Sequence, residues 1–198
     1  MNTSHEIGAE GPLELFDRWL GEAEQAEPSD PNAAALATAT PEGAPSVRMV
    51  LVKRVMTDRF CFFTNVESRK GRELEVNRRA ALCFHWKSLR RQVRVEGAVH
   101  ELEVPVVDAY FHSRSRASQI SAAISDQSRI LKSREELGER VRRFSEVTPD
   151  EVPRPACWRG FWVQPERIEF WISGADRLHD RFQFTRRGER WEQVRLFP

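Results

Sequence analysis

Long apolar runs are missing from this sequence. No stretch approaches the roughly 20 residues a membrane-spanning helix needs. The opening MNTSHEIGAEG has no apolar centre of the kind that marks a secretory leader. The expectation is a cytoplasmic protein with no membrane partner. Cysteine is scarce: Cys61, Cys83 and Cys157 are odd in number, far apart and form no CxxC. That excludes a disulfide framework and fits buried thiols in a reducing compartment. Neither sign of charge is in excess, with 31 Lys and Arg against 30 Asp and Glu. A bulk nucleic-acid or polyanion binder is therefore not expected, whereas a local anion site is not excluded. GxGxxG and GxxxxGK[ST] are absent, which removes the common phosphate-cradling loops, and there is no GxSxG elbow. His5, His85, His100, His112 and His179 show neither HExxH nor any paired-ligand spacing, so no metal is expected.

What is present is a chain of 198 residues, the length of one domain with a substantial core. Residues 1–11 are expected to be a mobile tail, and 12–198 a single domain. Leu13, Phe16, Leu20 and Ala23 recur at helical spacing behind Pro12, and Pro28 and Pro31 end that helix. AALATATPEGAPSVRMVLVKRV reads as two strands around a Pro-Glu-Gly turn, and RFCFFT as a third. ESRKGRELEVN reads as a short helix with a basic start, against the dipole preference. AALCFHW and RQVRVEGAVHELE are strands joined by KSLR. VPVVDAYFHSR, RASQISAAIS and SREELGERVRRFSEV follow as helices. Past TPDEVPRPAC, strands return as WRGFWVQ, RIEFWIS, RLHDRFQF and WEQVRLF. Strand meander, helical insert, strand meander predicts an α+β fold: an antiparallel barrel with packed helices rather than a parallel sheet.

Four clusters have anion-binding chemistry. In SVRMVLVKR, Arg48, Val50 and Val52 share one strand face and Met49, Leu51 and Lys53 the other; charges ending such rows reach solvent equally well. In TNVESRKGREL, Arg69 and Lys70 sit at a helix start, where two cations are unfavourable unless an anion neutralises them. In YFHSRSRASQ, Tyr110 (the only tyrosine), Arg114 and Ser118 are spaced i, i+4, i+8. They share one face if the helix runs through Ser115, and phenol, guanidinium and hydroxyl together suit a phosphate monoester. In GADRLHDRFQF, Arg177, His179 and Arg181 alternate with Leu178, Asp180 and Phe182. As a strand this places three cationic groups on one face near Trp171, with Leu178 and Phe182 holding the other face to the barrel. Two phosphate clamps beside an aromatic, imidazole-bearing strand suggest two phosphorylated planar molecules side by side.

These stretches, in order, resemble the pyridoxamine/pyridoxine 5′-phosphate oxidase family. The likeness runs from about Pro12 to Pro198 and rests on RMVLVK, FFTNVESRKGREL, RQVRVEG, YFHSRSRASQI, DQS, IEFW and RLHDRFQF. The resemblance implies a split β-barrel of six-stranded type, a homodimer, FMN as cofactor, and oxidation of pyridoxine or pyridoxamine 5′-phosphate by oxygen to pyridoxal 5′-phosphate. It implies that Arg48, Met49, Val50, Leu51, Val52 and Lys53 line the FMN site, with Lys53 also reaching the substrate phosphate. Phe63 and Thr64 would border the flavin, Arg69 and Lys70 would hold its phosphate, and Gln92 would touch its ring. Gln127, Ser128, Trp171 and Arg181 would reach FMN across the dimer interface. Tyr110, Arg114 and Ser118 would clamp the vitamin phosphate, and Arg177, Leu178 and His179 would meet the pyridine ring, with Arg177 and His179 as catalytic groups. The family often has Tyr where Phe63 stands, and the basic N-terminal segment of some members is absent from HEIGAEG. A related split-barrel FMN oxidase acting on another substrate, and a non-catalytic FMN or pyridoxal-phosphate carrier, are the alternatives.

Overall fold

The structure is a computed structural model describing residues 10–56 and 59–198. The proposed tail falls almost entirely on residues 1–9 and so lies outside the described residues. Within them, eight strands and five helices follow one another as the α+β pattern predicts: α1 (Pro12–Ala26), β1 (Ala33–Ala39), β2 (Pro45–Leu51), β3 (Phe60–Asn65), α2 (Arg69–Val76), β4 (Arg79–Trp86), β5 (Arg91–Glu101), α3 (Val104–Ser113), α4 (Arg116–Ile124), α5 (Arg134–Val147), β6 (Trp158–Ile172), β7 (Asp180–Arg187) and β8 (Arg190–Leu196).

All strand pairings are antiparallel, in the order β2-β1-β4-β5-β6-β7-β8, with β3 joining β6. The isolated bridge between Lys53 and Cys61 links the end of β2 to β3. Its backbone bonds measure 2.7 and 3.2 Å. Six strands thereby close into a ring, and β7 and β8 branch from the second half of β6. Over Pro45–Leu51, β2 pairs with β1 alone, so the barrel is open along that edge.

Helix α1 plugs the barrel. Pro12 at its first turn needs no donor there, and Leu15, Phe16, Trp19, Leu20 and Ala23 form the buried stripe. Phe16 meets Phe60 and Phe84 edge-on at 4.8 and 5.0 Å, and Trp19 meets Phe170 at 5.1 Å. Each such fully buried ring contributes about 1.5–3 kcal/mol. A second core, with Phe111, Ile120, Val152 and Trp158, fastens α3 and α4 to the outside of the barrel.

Two expectations from the sequence are corrected. WRGFWVQ and RIEFWIS are one strand, β6, running through Pro165. Glu96 pairs with Arg167 but Gly97 with Pro165, so Glu166 is an extra residue in a bulge. A proline is tolerated at a bulge, and Gly97 admits the approach, since a Cβ there would lie 1.8 Å from the Gln164 carbonyl oxygen. RLHDRFQF is a strand only from Asp180. Residues Ala175–Arg177 form a 3₁₀ turn in which Asp176 and Arg177 adopt φ of 50° and 64°. The row of three cations on one strand face is therefore broken: Arg177 is in the turn, and Leu178 is 73 % exposed rather than packed on the barrel.

Candidate functional site

A cavity of about 1020 Å³ opens along the free edge of β2. It lies at the top of the ~300–1,000 Å³ range of ligand pockets, so it has room for more than one small molecule. Because the wall is a strand edge, consecutive residues from both faces of β2 line it: Ser46, Val47, Arg48, Met49, Val50 and Leu51. Lys53, Phe63, Thr64, Arg69, Lys70, Tyr110, Arg114, Ser118, Gln127 and Ser128 complete the set of sequence-nominated residues brought together here. Among the described residues, five of the lining side chains are cations and none is a carboxylate.

The start of α2 forms one end of the cavity. Ser68 caps the helix by accepting from the Gly71 amide at 3.3 Å. The buried Lys70 Nζ donates to Thr64 Oγ1 at 2.8 Å, to Gln127 Oε1 at 3.0 Å and to Ser68 Oγ at 3.2 Å. Burial, aided by the charge of Arg48, pulls Lys70 down to a pKa of about 8. All its partners are neutral oxygens, so the charge has no counterion among them. The Arg69 amide donates to Ser128 Oγ at 3.2 Å. Gln127 and Ser128, expected from across a dimer interface, thus line the cavity of their own chain.

Behind this end stands Glu73, which sequence reasoning missed. It is 5 % exposed. Its Oε2 accepts from Thr38 and Ser46 hydroxyls at 2.5 and 2.6 Å, and its Oε1 from Arg69 Nε at 2.9 Å. Arg48 Nη2 lies 3.4 Å from Oε2, and Arg48 also donates to Thr38 Oγ1 at 2.6 Å and to Ser46 Oγ at 2.5 Å. Burial alone would raise the Glu73 pKa; the bonds from Ser46, Thr38 and Arg69 and the charge of Arg48 outweigh it and hold the group at about 2. The available signal was the i, i+4 spacing of Arg69 and Glu73.

The opposite end is the corner between α3 and α4. The helix is not continuous: α3 ends at Ser113 and Ser115 caps α4, accepting from the Ser118 amide at 3.3 Å. The corner nevertheless brings Tyr110, Arg114, Ser115 and Ser118 to one cavity wall. Arg114 Cζ sits 5.1 Å from the Trp158 ring centroid, and its buried Nη1 has no hydrogen-bond partner. Burial lowers the Arg114 pKa and raises that of Tyr110, each effect opposed by the other group. Phe63, Tyr110 and Trp158 stack in near-parallel planes, Phe63–Tyr110 at 4.0 Å and Phe63–Trp158 at 5.2 Å. Trp158, which the sequence reading had only as part of a strand, is a wall of the site.

Seven nominated residues do not line this cavity. Val52 is 3 % exposed and packs in the barrel core, because the alternation along β2 turns it inward as the strand reaches the bridge. Gln92 lines a separate groove of about 590 Å³ that shares Met49 with the cavity. Trp171, Arg177, Leu178, His179 and Arg181 lie around the start of β7. There Trp171 faces Arg181 in register, and the Trp171 and His179 rings are 4.6 Å apart. The Gly174 amide donates to His179 Nδ1 at 3.2 Å, so the neutral imidazole carries its proton on Nε2. Gly174 also admits the turn: a Cβ there would lie 1.8 Å from the Leu178 carbonyl oxygen. Gly174→Ala is expected to displace the turn and part the Trp171 and His179 rings; a change in tryptophan fluorescence beside unaltered far-ultraviolet circular dichroism checks this.

The residues present fit a phosphorylated flavin. A buried lysine without a counterion, an unpartnered arginine nitrogen and stacked aromatic walls all call for an anionic, planar occupant.

Comparison with known proteins gives the same direction. A family model described as pyridoxamine 5′-phosphate oxidase matches residues 20–152, and one described as pyridoxine 5′-phosphate oxidase C-terminal dimerisation region matches residues 158–198. The chain is 54 % identical over 188 residues to a pyridoxine/pyridoxamine 5′-phosphate oxidase of Gluconobacter oxydans, covering 94 % of each chain. It is also 54 % identical over 198 residues to that of Erythrobacter litoralis, covering 98 % of this chain and 93 % of the relative. Among solved structures, PhzG from Burkholderia lata, in complex with tetrahydrophenazine-1-carboxylic acid, superposes with a TM-score of 0.92 at 31 % identity, over 100 % of this chain and 98 % of that one. A pyridoxamine 5′-phosphate oxidase-related, FMN-binding protein of Nostoc punctiforme shares the fold, with a TM-score of 0.78 at 16 % identity over 96 % of this chain and 100 % of that one.

Proposed function

The chain belongs to the pyridoxamine 5′-phosphate oxidase family, and on that premise we propose how its cavity divides between cofactor and substrate. The protein is an FMN-dependent oxidase of pyridoxine and pyridoxamine 5′-phosphates, forming pyridoxal 5′-phosphate, and it is a homodimer. No helix among the described residues is long and apolar enough to cross a membrane. The three free cysteines fit a cytoplasmic location.

FMN supplies the one capacity the side chains lack, accepting a hydride equivalent and returning it to oxygen as hydrogen peroxide. Arg69 and Lys70 bind its phosphate, Arg48 adds charge beside them, and Thr64, Gln127 and Ser128 complete the hydrogen bonding. Met49, Val50, Leu51 and Phe63 border the ring. Lys53, Tyr110, Arg114 and Ser118 hold the vitamin phosphate, which fixes the pyridine ring so that the carbon to be oxidised is presented at constant reach. Arg177 stabilises negative charge on the ring substituents. His179, with its proton on Nε2, orients the substrate as a hydrogen-bond donor. Trp171, Arg177, Leu178, His179 and Arg181 serve the cavity of the other protomer, a reading supported by their distance from this chain's own cavity and by their place in the segment matched as a dimerisation region. Gln92 reaches the ring from the groove that abuts it at Met49.

The observation that carries this reading is a cavity lined, among the described residues, by five cations and no carboxylate: Arg48, Arg69 and Lys70 around the start of α2, Lys53 past the end of β2, and Arg114 at the α3–α4 corner. One phosphate at the start of α2 and one at the corner account for them. The test is an anaerobic spectrum. Adding pyridoxine 5′-phosphate should bleach the bound flavin within one turnover, and unphosphorylated pyridoxine should do so far more slowly. Equal bleaching by both would favour an oxidase of another substrate, as the likeness to PhzG allows. Tight FMN uptake with no bleaching would favour a carrier.

A further inference from the structure

We propose that Glu169 is a positioning residue that holds Arg181 in the orientation in which it meets the flavin. The proposal deepens the reading of Arg181 as an FMN contact and rests on it. Glu169 lies on β6, two residues before Trp171, and is 4 % exposed. Both its oxygens are engaged by the same guanidinium: Oε1 accepts from Arg181 Nε at 2.9 Å and Oε2 from Arg181 Nη2 at 3.2 Å. This two-pronged pairing fixes the plane of the guanidinium as well as its position. Arg181 Nη1 donates to the Phe197 carbonyl at 2.9 Å, which ties the same side chain to the end of the chain. From the other flank Arg94 Nη2 donates to Glu169 Oε2, so one buried carboxylate stands between two arginines.

Neither Glu169 nor Arg181 lines the cavities around the site in its own chain; Arg181 is read as meeting the flavin of the other protomer, and Glu169 acts on that contact through the side chain it holds. Burial would raise its pKa; the bonds from Arg181 and Arg94 outweigh this and keep it ionised. Cys83 feels the charges of both Arg94 and Glu169; burial raises its pKa, so it stays an uncharged thiol near neutrality. Without the carboxylate, the long Arg181 side chain would sample several rotamers and lose that freedom on each binding event, a penalty of roughly tenfold in affinity.

The experiment is a fluorescence titration of apoprotein with FMN for the unaltered protein, Glu169→Gln, Arg181→Gln and the double variant, with dimerisation checked by light scattering. Expected is a roughly tenfold weaker Kd for Glu169→Gln in an intact dimer, no further loss when Glu169→Gln is added to Arg181→Gln, and a Kd within twofold of normal for Arg94→Gln. Additive losses in the double variant, or a normal Kd for Glu169→Gln beside a weakened Arg181→Gln, would overturn the positioning role alone. A normal Kd for Arg181→Gln would overturn the underlying reading of Arg181 as well. If Glu169→Gln leaves Arg94 unpaired and the protein does not fold, Glu169→Gln with Arg94→Gln removes both charges and gives the same readout.

Discussion

Arg114→Ala is expected to raise KM for pyridoxine 5′-phosphate by about 100-fold, with kcat lowered less than tenfold and FMN content unchanged. The size follows from the bonds lost. A guanidinium–phosphate hydrogen bond contributes about 1.5–3 kcal/mol, and 1.4 kcal/mol is a factor of ten. Arg114 is placed for this role. Trp158 lies beside its guanidinium, and among the described residues the buried Nη1 has no partner and no carboxylate lines the cavity to neutralise it. An arginine keeps its charge even where burial opposes it. The check is steady-state kinetics on phosphorylated and unphosphorylated pyridoxine together with flavin absorbance. The variant should lose its preference for the phosphorylated form and treat the unphosphorylated one as the parent does. Loss of FMN would mean that Arg114 belongs to the other phosphate.

Lys70→Met is expected to weaken FMN binding by at least 100-fold and to remove a pH dependence that the parent protein shows. Lys70 titrates near pH 8 in the free protein because burial and Arg48 disfavour its charge. A phosphate monoester is already a dianion at that pH and binds the protonated lysine. Its arrival favours the charged form, so the lysine pKa rises on binding. The sign is then fixed: log Kd for FMN is flat between about pH 6.5 and 7.5, above the second ionisation of the phosphate, and climbs with a slope approaching one above about pH 8. Arg48, Arg69 and Glu73 surround the group, but Glu73 is ionised down to about pH 2 and the arginines do not titrate in this range. Riboflavin, which lacks the phosphate, should show no such climb. A slope unchanged in Lys70→Met would remove Lys70 from the phosphate site.

The sequence carried most of the elements because their periodicities were clean. The α1 stripe and the alternation along β2 both matched what the residues prefer locally. It carried less where local preference and tertiary geometry conflict. Pro165 reads as the end of a strand, and only the opposing Gly97 allows the strand to continue through a bulge. GADR precedes a run of alternating residues, yet Gly174 and Asp176 are turn formers and the turn prevails over the alternation. In the site, the spacing of Tyr110, Arg114 and Ser118 pointed to a shared wall by way of a continuous helix. The structure reaches the same wall by a corner at Ser115. Glu73, Glu169 and Trp158 were not legible as site residues because, apart from the i, i+4 pair of Glu73 with Arg69, their contacts are distant in sequence: Glu73 with Thr38 and Ser46, Glu169 with Arg94 and Arg181, and Trp158 with Phe63 and Arg114.

The gap between β2 and β3 that gives the cavity its wall has a further consequence for the isolated chain. From Pro45 to Leu51 it leaves backbone donors and acceptors unpaired, beside Val47 and Met49 that are 68 % and 64 % exposed. Such an edge recruits other strands, and natural sheets rarely leave one bare. An occupant of the cavity would lie against part of this edge. Apoprotein is therefore expected to aggregate sooner than FMN-loaded protein, and light scattering of the two at equal concentration checks this.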